Sequence, residues 1–457
     1  MARILFATNG LPGLLFATFE LARRLEDDGH HVLYASAPEV RPLVERHGLP
    51  FLELAPNGYA EWLRRDARQS AWRRVVTTRD RVARAADATG ARGFVEAVRA
   101  HAPDLLLIDG ELHEHIVAAW ATGVRMALMN TFVSIWRQPG VAPPHRLARP
   151  GGGWKGTPPM ASLFWLELRL KKRRRALWHQ VTRIGCDRVA VVRELARRSG
   201  CDLARETTTA EWPIPFTYRH LPVLSLHARE FEFDTRVPDR VRFVGPMVPA
   251  TRDEGRCSGQ DAARLAGIVD RRAQGDGPPL VYAAFGSFLS TDVGFLRRLV
   301  EGLAGRGDRE LVLSLGGRLD PAALGPLPPG VHAFSWVPQI EVLRHADAAV
   351  HHGGINTVDE CIVHGVPMLV YCGFETDMPG TTARVVHHRL GLAGDRARDT
   401  PSRIAERLDR LLADASIREA VSRFRASYAR YVSERVAERT VASLLADAPS
   451  EWPKLAP

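Results

Sequence analysis

The chain has little that would mark it for a membrane, a metal or a disulfide framework. Over its 457 residues no apolar run approaches the roughly 18 needed to span a bilayer. The opening MARILFATNG has no charged leader followed by a long apolar stretch, so it reads as a first strand and not as a signal peptide. The five cysteines (Cys186, Cys201, Cys257, Cys361 and Cys372) are odd in number and scattered, without metal-ligand spacing. The expectation is a reduced, cytoplasmic setting with no bound metal and no cofactor. Zinc-finger spacing and RNA-binding aromatic signatures are also lacking, so nucleic acid is not an expected partner although the net charge is +10. Arginine pairs such as Arg23-Arg24, Arg64-Arg65 and Arg73-Arg74 supply much of that excess and read as solvated helix faces.

A hydrophobic fraction of 45% and a charged fraction of 25% belong to an ordinary globular chain, too long here for one core. Short apolar runs alternate with stretches of helical periodicity. Residues 3–7, 32–35, 51–54, 104–108 and 124–129 are strand candidates in the first half. The alternation restarts at 280–285, 310–314, 331–335, 348–351 and 367–371. This predicts an α/β protein of two doubly wound, Rossmann-like parallel-sheet domains. Its expected divisions are 1–235, a linker at 236–260, 261–425, and a C-terminal helix from 426 to 457 that returns to the first domain. In such sheets ligands sit beyond the carboxyl ends of the strands, which directs attention to the residues just after each one. The Pro- and Gly-rich segment from Val133 to Pro159 reads as a long loop.

The densest chemistry lies between Ser335 and Asp377. SWVPQ (335–339) is followed by HHGGINTVDE (351–360) and HGVPMLVYCGFETD (364–377). A strand running into Gly353-Gly354 and then a helix offers free N–H groups to a phosphate, with His352 as a further donor. Trp336 offers a flat face to a base, and Gln339 and Glu360 offer partners for ribose hydroxyls.

In this order and spacing the segment resembles the donor-binding signature of inverting UDP-sugar glycosyltransferases, the family of plant secondary-metabolite and bacterial macrolide enzymes. The resemblance implies the GT-B architecture, with two domains facing across a cleft. It implies a UDP- or dTDP-sugar as donor, a small-molecule acceptor, and catalysis without a metal. Position by position, it gives Trp336 and Gln339 to the base and ribose, and Glu360 to the ribose hydroxyls. His352, Gly354, Asn356 and Thr357 form the diphosphate cradle, with Ser287 of FGSF touching phosphate. Asp377 grips the donor sugar.

Two departures from the family pattern stand out. Met378 occupies the place of a glutamine that contacts sugar hydroxyls, and a thioether cannot replace an amide; a deoxy or amino sugar is therefore expected. In the acceptor-side loop TNGLPGLLF (8–16), Gly10 and Gly13 align with the family, but Leu14 stands where it places its basic histidine. A replacement base is sought in DGELHEH (109–115): Asp109, Glu111, His113 or His115. A non-catalytic partner protein that has lost the base and a sugar-nucleotide epimerase or hydrolase are the rival readings. Finally, LFWLELRLKKRRRALWH (163–179) joins an apolar helix to five consecutive cations. It reads as a packed helix with a solvated basic end, or as a peripheral contact with an anionic membrane serving a lipophilic or phosphorylated acceptor.

Overall fold

Strands buried on both faces should be apolar throughout, and those at the centre of each half are. In β1 (Arg3–Ala7) and β4 (Leu105–Asp109) every residue but Arg3 is buried. A computed structural model of the chain describes residues 1–250, 257, 259–286, 291–304, 307–373 and 376–446. The N-terminal sheet adds β2 (His31–Ser36), β3 (Phe51–Glu53), β5 (Met126–Asn130), β8 (Val223–Ser225) and β9 (Val241–Phe243). All seven strands are parallel, in the order β3-β2-β1-β4-β5-β8-β9. A separate antiparallel pair, β6 (Thr207–Thr208) and β7 (Thr217–Tyr218), lies on the path into β8. The second sheet, also parallel, runs β12-β11-β10-β13-β14-β15. Its strands are β10 (Leu280–Ala284), β11 (Glu310–Ser314), β12 (Val331–Phe334), β13 (Ala348–His351), β14 (Met368–Val370) and β15 (Gly391–Ala393). The two doubly wound domains expected from the sequence are present.

Two boundaries differ from expectation. Because β9 pairs with β8, the first domain continues past residue 235 to at least Phe243. The C-terminal segment is two helices, not one. Ala415–Ser433 packs Ile417, Ala420, Val421 and Tyr428 into the second domain's core, whereas Val436–Ala446 packs Ala437, Val441 and Leu444 into the first. The chain turns between them at Arg435, whose φ is +51°. The arginine pairs are not all solvated either: Arg24 is turned inward onto Glu20 at 2.7 Å, while Arg23 remains exposed.

The domains are clamped by a buried carboxylate. Glu232 follows β8, and one oxygen accepts from Ser134 N at 2.7 Å and contacts His227 Nε2 at 2.9 Å. The other accepts both Nε and Nη2 of Arg384, at 2.9 and 2.5 Å, from the helix Met378–His387 of the second domain. Burial acts to raise the Glu232 pKa, but Arg384 and the hydrogen bonds from His227 and Ser134 outweigh it and hold the group well below the usual carboxylate range. Nearby, Gly380 N in the first turn of the same helix donates to Pro144 O at 2.6 Å, so part of the long Pro-rich loop is fixed against the second domain.

Removing one member of a buried pair strands the other without a partner. Arg384→Ala is expected to destabilise the protein by about 3–5 kcal/mol. Exchange of both Glu232 and Arg384 for apolar residues of similar size should cost much less. Thermal and urea unfolding of the two variants distinguishes these outcomes, and equal losses in both would refute the pairing argument.

Candidate active site

The carboxyl ends of β10, β12 and β13 converge on one cradle. Trp336 leaves β12 half-buried, its Nε1 without a partner among the described residues. Gln339 opens the helix Gln339–Leu343, accepts from Tyr282 Oη at 3.0 Å, and donates to Thr357 Oγ1 at 3.3 Å and to the Glu360 carboxylate. The sequence placed Gln339, Thr357 and Glu360 apart; the fold joins them in one hydrogen-bonded cluster beside Trp336.

His352 lies between two glycines for a steric reason. A Cβ on Gly354 would meet His352 Nε2 at 2.9 Å, and one on Gly286 would meet its Cε1 at 3.0 Å. The backbone can therefore approach the ring at Gly286 and at Gly354 only if those residues lack side chains. The helix Ile355–His364 starts directly after Gly354, so its first-turn N–H groups, which have no intrahelical partner, lie a few residues from the imidazole. Burial pushes the His352 pKa down to about 4 against a hydrogen bond with the Ala284 backbone, so at neutral pH the ring is uncharged and has a single N–H to donate. Its Nδ1 has no partner among the described residues. Asn356 departs from a purely phosphate-facing position: its Nδ2 donates across the cleft to Gly13 O, joining the first turns of the helices Pro12–Asp27 and Ile355–His364. Ser287 lies outside the described residues.

Across the cleft, Asp109 ends β4 with 9% of its surface exposed. Asn9 Nδ2 donates to Oδ2 at 2.6 Å, and Glu111 N donates to Oδ1 at 2.9 Å. Burial raises the Asp109 pKa to about 6 in spite of those two bonds, and the Glu111 charge adds to the rise. Asp377, at the start of the helix Met378–His387, is likewise buried and pushed up to about 6; Arg384 lowers its pKa and Glu111 raises it. Burial also raises the pKa of Glu111. The Glu111 charge thus acts on both Asp109 and Asp377, one from each domain. Met378 follows Asp377 half-buried, its carbonyl accepting from Thr382 Oγ1 at 2.8 Å. Leu14, half-buried in the first turn of its helix, offers no acceptor to a proton.

The two histidines that follow Asp109 are corrected by the structure. They belong to the helix His113–Ala119, but they face inward and are neither exposed nor in the cleft. His113 packs on Phe216 and meets Tyr218 Oη at 3.3 Å, while His115 packs on Phe94. Burial lowers both pKa values to about 4. A helix that covers a sheet must bury one face, and here the histidines occupy it. Asn9 went unnoticed in the sequence, where the only signal was a polar residue at the carboxyl end of β1. A cavity adjoins the acids, lined by Asp109, Gly110, Glu111, Met129, Phe132, Ile135, Trp136 and Tyr218 among others.

This is the arrangement of the GT-B class, two Rossmann-like parallel-sheet domains. Residues 298–442 match the family described as "Erythromycin biosynthesis protein CIII-like, C-terminal domain". Demethyllactenocin mycarosyltransferase of Streptomyces fradiae is 31% identical over 264 residues, which are 56% of this chain and 52% of that protein. The chain thus spans about half the length of that curated relative. Two solved structures share the fold over nearly the whole chain. CalG4, the calicheamicin glycosyltransferase, gives a TM-score of 0.65 at 21% identity, covering 98% of this chain and 99% of its own. Glycosyltransferase VinC in complex with dTDP gives 0.60 at 19% identity, covering 97% and 98%. The chain as a whole therefore has the GT-B fold, and its residues 298–442 resemble the C-terminal domain of that erythromycin-biosynthesis family.

Loss of the stacking face in Trp336→Ala, or of the donor in His352→Ala, should weaken UDP or dTDP binding by ~1–3 kcal/mol each. Titration calorimetry reads this directly; unchanged affinity in both variants would remove the cradle as the nucleotide site.

Proposed function

We propose that the protein transfers a sugar from a dTDP- or UDP-sugar to a small natural-product acceptor, with inversion, and that Asp109 is the base. The observation that carries this reading is a buried carboxylate with a pKa near 6, fixed by Asn9, that borders both a largely apolar cavity and the cleft. The S. fradiae relative is a mycarosyltransferase and the VinC neighbour was solved with dTDP, which supports a thymidine diphosphate sugar in antibiotic or other natural-product biosynthesis.

In the proposed step the acceptor hydroxyl gives its proton to the Asp109 carboxylate as its oxygen bonds to the anomeric carbon. The bond from that carbon to the β-phosphate oxygen breaks, and the nucleoside diphosphate leaves with the electron pair. The first turn of the helix Ile355–His364 and the neutral His352 donate hydrogen bonds to the leaving diphosphate, where charge accumulates. No metal and no cofactor is needed in this scheme. Asp377 takes donor-sugar hydroxyls, and Met378 presents a thioether to a part of the sugar that lacks a hydroxyl. Asn9 and the Glu111 N–H hold one oxygen each and fix the orientation of the carboxylate that takes the proton.

Asp109→Asn should lower kcat by ~10²–10⁴ with nucleotide affinity intact. A base must be ionised to work, so kcat/KM should rise with pH through an apparent pKa near 6 belonging to the coupled acids. Near-parental turnover by Asp109→Asn would exclude Asp109 as the base. Absence of glycoside from the parent as well would favour a non-catalytic partner protein, and an altered free sugar nucleotide would favour an epimerase or hydrolase.

Position 378 has its own test. Met378→Gln should raise kcat/KM for a fully hydroxylated hexose donor relative to a deoxy donor, because an amide adds the hydrogen-bonding groups that discriminate hydroxyls. Unmoved ratios across donors would show that this side chain does not read the sugar.

A further inference from the structure

The helix Pro158–Thr182 has two apolar faces, and the fold uses only one. Ala161, Trp165 and Leu168 are buried against the body, with Trp165 Nε1 donating to Val141 O at 2.8 Å. Leu163, Leu166, Leu170, Leu177, Trp178 and Val181 are exposed, Trp178 by 67% and Val181 by 65%. At about 100° per residue these six side chains fall within an arc of about 120°, opposite the buried face. Lys171 and Arg175 flank the arc on one side and Arg173 on the other; Arg174 rises within it on a stem long enough to lift its charge clear, and Glu167 also falls within it, paired with Lys171 at 2.7 Å and with Arg146. Arg173 and Arg174 form no ion pair among the described residues.

A second short helix, Ala71–Val76, ends close to the C-terminal end of this one. It exposes Trp72, Val75 and Val76, and Arg81 ties it to the end of the long helix, donating to Arg74 O at 2.8 Å and to Ile184 O at 3.0 Å. Arg73 beside it is also exposed. Tryptophan, aliphatic side chains and flanking cations on one outward surface are the composition that sits at a lipid headgroup boundary. Among the described residues no helix is long and apolar enough to cross a membrane.

We propose that this ridge docks the protein on the surface of an anionic lipid bilayer. The charge decides between occupants. Two copies of the ridge would bring the same cations face to face, whereas anionic headgroups complement them and the acyl boundary takes the apolar arc without needing a matching shape. The helix is also rooted beside the cavity next to Asp109. Lys172, on its inner side, donates to Glu211 O at 2.6 Å, and Glu211 lines that cavity.

The test is sedimentation of the full chain with vesicles of phosphatidylcholine alone or mixed equally with phosphatidylglycerol. Binding to the mixed vesicles should be at least about tenfold stronger and should fall as salt is raised. The triple change Leu177→Ser, Trp178→Ser, Val181→Ser should abolish it while dTDP or UDP affinity and circular dichroism stay as in the parent. Arg173→Gln, Arg174→Gln, Arg175→Gln together should remove the preference for phosphatidylglycerol. Equal, weak binding to both vesicle types overturns the proposal, as does parental binding by the serine variant. It is also overturned if the serine variant instead lowers the oligomeric mass of the vesicle-free protein, which would make the arc a face between copies.

Discussion

A charge withdrawn from water must be answered on every lone pair, and Glu232 is answered from both domains at once. Its N-terminal partners, Ser134 and His227, fix where the carboxylate lies. The Arg384 fork then fixes the helix Met378–His387 relative to the first sheet. That helix begins at Asp377, carries Met378, and receives Pro144 O on its third residue. Placement of the Asp377 end of the cleft therefore depends on a pair about two turns along the same helix. Buried pairs of this kind contribute little net stability over apolar substitutes. What this one supplies is register between two bodies that could otherwise slide, because only one relative placement satisfies both oxygens.

The cleft in front of that clamp concentrates acidic groups from both domains. Asp109 and Asp377 come from different domains, and both are buried enough to titrate near 6. An unfolded chain ionises an aspartate near 4, so the folded protein holds each proton more tightly between about 4 and 6. These residues favour folding at low pH and lose that contribution as pH rises through about 6. An ionised Asp109 is thus a strained charge, ready to accept a proton. Opposite the acids, the uncharged His352 and the helix start after Gly354 offer N–H groups, which suits them to a diphosphate that brings its own charge.

Much of this was legible in the chain. Periodicity and turn residues located most central strands, since a strand covered on both faces must be apolar and short. The 335–377 segment declared the cradle because strand, glycines and helix start are contiguous there, so local sequence fixes local geometry. Leu14 and Met378 were equally plain, being single positions in otherwise recognisable motifs. The histidines after Asp109 were not legible. A sequence shows that His113 and His115 can accept protons but not which way their helix turns, and packing against Phe216, Tyr218 and Phe94 turned them inward.

By itself, then, the sequence determined the two sheets, the cradle and the missing histidine, all consequences of residues within a few turns of one another. Tertiary structure alone decided the rest. Asn9 reaches Asp109 across 100 residues, Arg384 reaches Glu232 across 152, and Asn356 reaches Gly13 across 343. No periodicity encodes such pairs, because they depend on which ends of which strands the chain brings together. The same holds for the division of the C-terminal segment at Arg435, where each half follows a different core. It holds too for the second apolar face of the long helix, which only became visible once the first was buried.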